Sequence, residues 1–272
     1  MYEISLSVSP TKTGFGPILF AGDLDEGIEM ASSFNFNAVE LSLLDSKKIE
    51  QDYIIGKIKD KNLKVFAIST GQTYYNDGYS LYDLKDDIRE KAVNRIKDHV
   101  DFAAKLNSMI VIGGIRGVID KESSSATQQK EMGKKAIKDC AVYAKDKNVM
   151  LLLEPINRYE TNIINTVKEA MELIEEIGMD NIKILPDTFH MNIEEISIED
   201  SLKKAGNLAG YIHFADSNRH APGWGHTDFR KIISALKDID YKGAIGVEIL
   251  PVPNDYDATR QGITFLKKLL ND

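Results

Sequence analysis

Four apolar runs in the C-terminal half of this 272-residue chain each finish on a side chain with metal-binding chemistry. They are Glu154 in MLLLEPINRYET, Asp187 in IKILPDTFH, His213 in GYIHFADSNR and Glu248 in AIGVEIL. Each run is aliphatic enough to be a buried strand, yet each ends on a group that is expensive to bury alone. A shared cation removes that cost. Any one of them could be a surface acid or a hydrogen-bonded core histidine, but four at the same end of four successive strands read as one divalent-metal site. Three oxygen donors and one nitrogen, without thiolate, suit Mn²⁺, Mg²⁺ or Co²⁺ at least as well as Zn²⁺.

A cation between two glutamates suits proton abstraction beside a carbonyl. Bound to a ketone and the neighbouring hydroxyl, it would stabilise an enediolate while one carboxylate removes the carbon-bound proton and the other returns it from the opposite face. That outcome is epimerisation. Transfer on one face, or between adjacent carbons, would be aldose-ketose isomerisation, and spacing alone leaves the two open. Further polar residues follow the same strand ends: Glu160 six after Glu154, His190 three after Asp187 and Arg219 six after His213. Taken singly, Glu160 and Arg219 read as solvated loop residues and His190 as bonded to a loop carbonyl. Their shared location beside the metal makes them candidates for substrate contact. His99, His220 and His226 receive no role.

Positioning these residues requires a regular scaffold. Strand candidates fall at 3–9, 38–43, 64–70, 108–114, 149–155, 182–188, 209–215 and 245–250. Between them, DLDEGIEMASSF, DIREKAVNRIKDHVDFAAKL and TVKEAMELIEEIG carry apolar residues three and four apart, as amphipathic helices require. Thr166 with Glu169, and Ser197 with Asp200, have the spacing of capping boxes, and Gly178 marks a helix end. Strict alternation of strand and helix predicts parallel pairing, and eight units in about 250 residues is the count of a single (β/α)8 TIM barrel, an α/β domain over 1–272. A doubly wound sheet is disfavoured because no GxGxxG follows the first strand and because a closed ring brings strands 5 to 8 around one mouth. The polar stretch SSSATQQ at 123–129 reads as the start of a helix.

The composition narrows the classes further. A formal charge of -8 without a basic block disfavours a nucleic-acid track. The N-terminal residues lack the regions of a signal peptide, and no run approaches the ~20 apolar residues needed to span a bilayer, so a cytoplasmic enzyme without membrane partners is expected. The single cysteine, Cys140, at helical spacing from Ile137, Ala141 and Ala144, reads as a buried reduced thiol.

EPINRYET, DTFHMNIEE, HFADSNRHAPGWGH and VEIL resemble the ketose 3-epimerases, the D-tagatose and D-psicose (allulose) 3-epimerase group of the xylose-isomerase-like TIM-barrel superfamily. The resemblance covers the whole chain, and EPxNRxET with DTFHMNIEE is its most specific part. It implies that Glu154 and Glu248 both ligate the metal and act as the acid/base pair, that Asp187 and His213 complete the site, and that Glu160, His190 and Arg219 contact substrate oxygens. It also implies a homo-oligomer, a dimer or tetramer, and a divalent metal cofactor, with Mn²⁺ ranked ahead of Mg²⁺, Co²⁺ and Zn²⁺. STGQTYYNDGYSL, IGGIRG and ADSNRHAPGWGH look more like the 5-keto-L-gluconate epimerase branch. A keto-sugar acid, of the 5-keto-L-gluconate or tagaturonate kind, is therefore the first substrate expectation and a neutral ketohexose the second. Arg116 could then pair with a substrate carboxylate, or simply be a loop arginine. Gln72 could touch a hydroxyl, and Tyr74, Tyr75, Tyr79 and Trp224 could wall the mouth.

Rival readings share the fold. Hydroxypyruvate isomerase and inosose dehydratase use a similar metal at the mouth. An endonuclease of the trinuclear-zinc kind needs more histidines at the mouth than this chain offers and fits its charge poorly. A silent sugar-binding protein would have little reason to keep both glutamates.

Overall fold

A computed structural model describes residues 2–13, 16–121 and 125–271 of the chain. Eight strands follow in order: β1 (Ile4–Val8), β2 (Ala38–Ser42), β3 (Lys64–Ser69), β4 (Met109–Ile112), β5 (Leu151–Leu153), β6 (Ile182–Ile184), β7 (Ile212–Phe214) and β8 (Ile245–Val247). All pair in parallel, in the order β6-β5-β4-β3-β2-β1-β8-β7. The ring closes between β6 and β7 through the bridges Ile184 with Ala209 and Asp187 with His213. The backbone N–H groups of Gly210 and His213 donate across that seam to Ile184 and Pro186. At least one helix lies between each pair of consecutive strands. The architecture is thus the (β/α)8 barrel that the alternation predicts.

Side-chain alternation along each strand sorts the barrel into two layers. On β1, Ile4, Leu6 and Val8 join the large apolar layer beneath the helices, while Ser5 and Ser7 occupy the intervening inward positions. Val39 and Leu41 do the same on β2 and leave Glu40 and Ser42 inside. A smaller inner core of Ala67, Val111, Leu152, Leu185 and Tyr211 fills one side of the barrel. The interior is therefore apolar towards β3–β6 and polar towards β1 and β2.

Local signals explain the helix limits. Thr166 and Glu169 form a reciprocal capping box, and Gly178 ends that helix, Val167–Ile177, at φ 68. Ser197 accepts from the N–H of Asp200 and caps Ile198–Ala205. The helix following the polar stretch is Ala126–Asp146, while residues 123 and 124 of that stretch lie outside the described residues. Cys140 is buried in it, and burial pushes its thiol up to about 12.

The strands carrying the candidate ligands are shorter than the apolar runs. β5 stops at Leu153 and β6 at Ile184. Pro155 and Pro186 follow closely, and a residue without an N–H cannot extend a ladder. The ligand candidates of these two strands consequently stand just past the ladder, where the chain begins to turn over the barrel rim. Among the described residues no helix is long and apolar enough to cross a membrane.

Candidate metal centre and its cavity

Each of the four strand-end residues reaches the centre by a different local route. Glu154 follows β5, and the register that pairs Ile112 with Leu153 sets it beside Gly113. A Cβ at Gly113 would lie 2.1 Å from its Oε2, so only glycine leaves space for the carboxylate. Asp187 caps the helix Thr188–Glu194, its Oδ1 accepting from the N–H of Phe189 at 2.7 Å. His213 lies within β7, and Glu248 directly follows β8.

These side chains converge. One potential ligand atom from each of Glu154, Asp187, His213 and Glu248 lies within 4.8 Å of the other three. Nδ1 of His213 is 3.8 Å from Glu154 Oε1, 3.9 Å from Asp187 Oδ2 and 3.7 Å from Glu248 Oε2. A cation about 2.1 Å from each ligand would hold neighbouring ligands roughly 3 to 3.5 Å apart, so a small contraction would seat one. Asp187 Oδ2 and His213 Nδ1 are buried without a hydrogen-bond partner among the described residues. Buried orphans of opposite proton preference, aimed at one point, fit a divalent ion.

The electrostatics agree with that fit. Burial raises the carboxyls of Glu154, Asp187 and Glu248, and Glu248 is pushed up to about 7. Repulsion from Glu248 lifts Glu154 further. Burial alone would push His213 down, but the carboxylates of Glu40, Glu248 and Glu154 together hold it well above its ordinary value. Without a cation this cluster stores protons; with one, the protons would be displaced.

Above the cluster opens a cavity of about 220 Å³, lined on one side by Glu154, Glu160, His190, Arg219 and Glu248. Arg219 adopts φ 63 in the turn after β7; its N–H donates to the carbonyl of Asp216 and its own carbonyl accepts from Leu250. Asp216 shapes this loop by accepting the N–H groups of Ser217, Gly223 and Thr227. The Arg219 guanidinium stacks 4.7 Å from the Phe189 ring centroid and donates to Glu160 at 2.9 Å. His190 is buried, and burial, followed by the Arg219 charge, drives its pKa well below the usual value.

Asn157, which no strand-end spacing marks, orders this group. Its Oδ1 accepts from the N–H of Tyr159, which turns the amide nitrogen towards Glu160 Oε1 at 2.9 Å and His190 Nδ1 at 2.8 Å. His190 Nδ1 is then an acceptor, and its proton sits on Nε2. Its position in EPINRYET, three before Glu160, was the available signal.

Other expectations divide. Gln72 and Tyr75 line the cavity, whereas Tyr74, Tyr79 and Trp224 are not among its lining residues. Arg116 is fully buried, with no hydrogen-bond partner for its guanidinium among the described residues, and does not line the cavity. His99 is buried as well.

Comparison with known proteins follows the same lines. The xylose isomerase-like TIM barrel family matches residues 28–269. The L-ribulose 3-epimerase of Methylomonas sp. (strain DH-1) is 32% identical over 224 residues, 82% of this chain and 77% of the relative. A ketose 3-epimerase of Arthrobacter globiformis is 30% identical over 243 residues, 87% of this chain and 83% of its own. In fold, a D-allulose 3-epimerase from Methylomonas sp. superposes with a TM-score of 0.84 at 24% identity, covering 99% of both chains. The chain belongs to the xylose isomerase-like TIM-barrel family, in its group of carbohydrate epimerases.

Proposed function

We propose that this chain is a divalent-metal-dependent epimerase that inverts the hydroxyl-bearing carbon next to the ketone of a free keto-sugar or keto-sugar acid of the 5-keto-L-gluconate or tagaturonate kind. The observation that carries the reading is the convergence of Glu154 and Glu248, from β5 and β8, on one buried cluster that also edges the cavity. Glu154, Asp187, His213 and Glu248 would hold the metal; their three oxygens and one nitrogen suit Mn²⁺, Mg²⁺ or Co²⁺, and the family resemblance ranks Mn²⁺ first. When bound, the ion supplies positive charge that stabilises a developing enediolate.

The protein's own groups do the rest. One glutamate takes the proton from the carbon beside the ketone, and the C–H electron pair passes into the enediolate. The other glutamate delivers its proton to the opposite face of that carbon, giving the epimer. Arg219 and the Nε2–H of His190 donate to substrate oxygens, and Glu160 accepts from a hydroxyl.

A neutral ketohexose is the second reading, and Arg116 favours it. The arginine that a substrate carboxylate would need is not among the lining residues, and Arg219 already faces Glu160 and Glu248. The test is solvent exchange. Metal-loaded protein is incubated in D₂O with keto-sugar acids and ketohexoses, and deuterium at the carbon beside the ketone is followed by NMR. Exchange with formation of the epimer is expected. No exchange with any of them, alongside dehydration of inosose, overturns the reading.

A further inference from the structure

Below the proposed metal centre, the inward face of β2 places a carboxylate behind the histidine. Glu40 is fully buried, and its Oε2 lies 2.8 Å from Nε2 of His213, 173 residues away in sequence. Tyr211 packs edge-on against the same imidazole, ring centroids 5.2 Å apart, and its hydroxyl lies 2.5 Å from Ser5 Oγ. Gly246 faces His213 in the β7–β8 register, and a Cβ there would stand 2.3 Å from the Tyr211 hydroxyl and 2.8 Å from His213 Cδ2. The imidazole is thus held at Nε2 by Glu40 and packed closely by the Tyr211 ring and the Gly246 backbone.

This arrangement is costly unless it serves the other nitrogen. Among the described residues Glu40 forms no ion pair with an arginine or lysine, so its buried carboxylate is matched only by His213 Nε2 and the neighbouring Tyr211 hydroxyl. A carboxylate accepts, so Nε2 carries the proton it shares. Nδ1 has no acceptor within hydrogen-bond reach, its three carboxylate neighbours standing 3.7 to 3.9 Å off. A proton on Nδ1 would be unbonded, whereas a lone pair there faces the point where the three carboxylates meet. A histidine that donates its far N–H to a carboxylate presents a more basic, better-aimed lone pair at the near nitrogen.

We propose that Glu40 is a positioning residue for the metal centre, holding His213 with its proton on Nε2 and its Nδ1 lone pair directed at the ion. The proposal rests on the metal reading of the site. It assigns a buried acid on the strand opposite the ligands to metal affinity rather than to packing.

Calorimetric titration with Mn²⁺ of the unaltered protein, Glu40→Gln and Glu40→Ala tests it, each variant checked for native far-UV circular dichroism. Glu40→Ala is expected to bind Mn²⁺ about 10- to 100-fold more weakly. Glu40→Gln should fall between, because its amide oxygen still accepts from Nε2 but carries no charge. If Glu40→Ala does not fold, the nearly isosteric Glu40→Gln carries the test, with affinity reduced at least about threefold. Unchanged Mn²⁺ affinity in the folded variants, with a lower melting temperature of the chelated protein, overturns the proposal and leaves Glu40 structural. Absence of Mn²⁺ and Co²⁺ binding by the unaltered protein is a different result, which overturns the metal reading and this proposal with it.

Discussion

Nη2 of Arg219 lies 3.4 Å from Oε2 of Glu248, and no arginine or lysine among the described residues makes an ion pair with Glu154. Two glutamates that edge the same cavity therefore sit in different fields. Burial raises both and His213 draws both back, but Arg219 adds to that pull at Glu248, which reaches about 7, whereas the charge of Glu248 pushes Glu154 up. Carboxyls whose surroundings drive them apart are suited to opposite proton-transfer roles.

Removing the ionisable group from either should therefore halt turnover. Glu248→Gln and Glu154→Gln are each expected to lower kcat by about 100-fold or more, the usual worth of a general acid or base. Steady-state rates on a substrate identified by deuterium exchange provide the measurement. Near-normal turnover in Glu248→Gln would refute the two-base mechanism.

Metal binding should stabilise the fold more at high pH than at low. Because burial raises these carboxyls, the metal-free fold holds protons that the unfolded chain has already released. The stability those protons confer is full below the ordinary carboxylate range and is lost as pH rises through about 7, the value at Glu248. A cation competes with fewer protons over the same rise. The gap in melting temperature between Mn²⁺-loaded and chelated protein is expected to widen from pH 5.5 to pH 8. A constant gap sinks this account of the cluster.

Gly113 supplies a steric test. An added methyl would meet Glu154 Oε2 at 2.1 Å, so Gly113→Ala must displace that carboxylate. Weaker Mn²⁺ binding and at least tenfold slower turnover are expected. Gly56→Ala, which has open space in the helix Gln51–Asp60, is the control and should stabilise by up to about 1 kcal/mol. Full activity in Gly113→Ala would show that the carboxylate does not need that space.

His99 concerns stability instead of chemistry. It is buried in the helix Asp86–Leu106, both ring nitrogens without a partner among the described residues, and burial, reinforced by Arg95, pushes its pKa down to about 3. The unfolded chain protonates it near its ordinary 6.5. Its contribution is thus complete above pH 6.5 and is lost as pH falls towards 3, at up to about 1.4 kcal/mol per pH unit for one proton. Urea unfolding of His99→Leu between pH 4 and pH 7 should show a shallower acid slope than the parent. Parallel slopes would mean that His99 is not buried neutral.

The substrate end of the site was less legible than the metal end. Arg116 follows the strand candidate 108–114 and is a candidate partner for a substrate carboxylate, yet the chain turns through Gly114–Arg116 and buries the guanidinium outside the cavity lining. A turn of that kind depends on what surrounds it, here the Ser80 hydroxyl that donates to the Arg116 carbonyl. Asn157 was visible only as one letter of a motif, and its hold on His190 requires two loops to meet.

From sequence alone came the features written in short-range pattern. The apolar runs, the capping box at Thr166 and the glycine stop at Gly178 depend on neighbours a few residues away, and strand alternation then predicts a barrel whose rim collects Glu154, Asp187, His213 and Glu248. Tertiary structure alone decided which inward residue stands behind which. Glu40 sits in AVELS as one acid in an apolar strand, and its pairing with His213 depends on ring closure bringing β2 and β7 across the same interior. Local periodicity carries no information about contacts between strands 173 residues apart, so the ligands could be read from the chain and the residue that aims one of them could not.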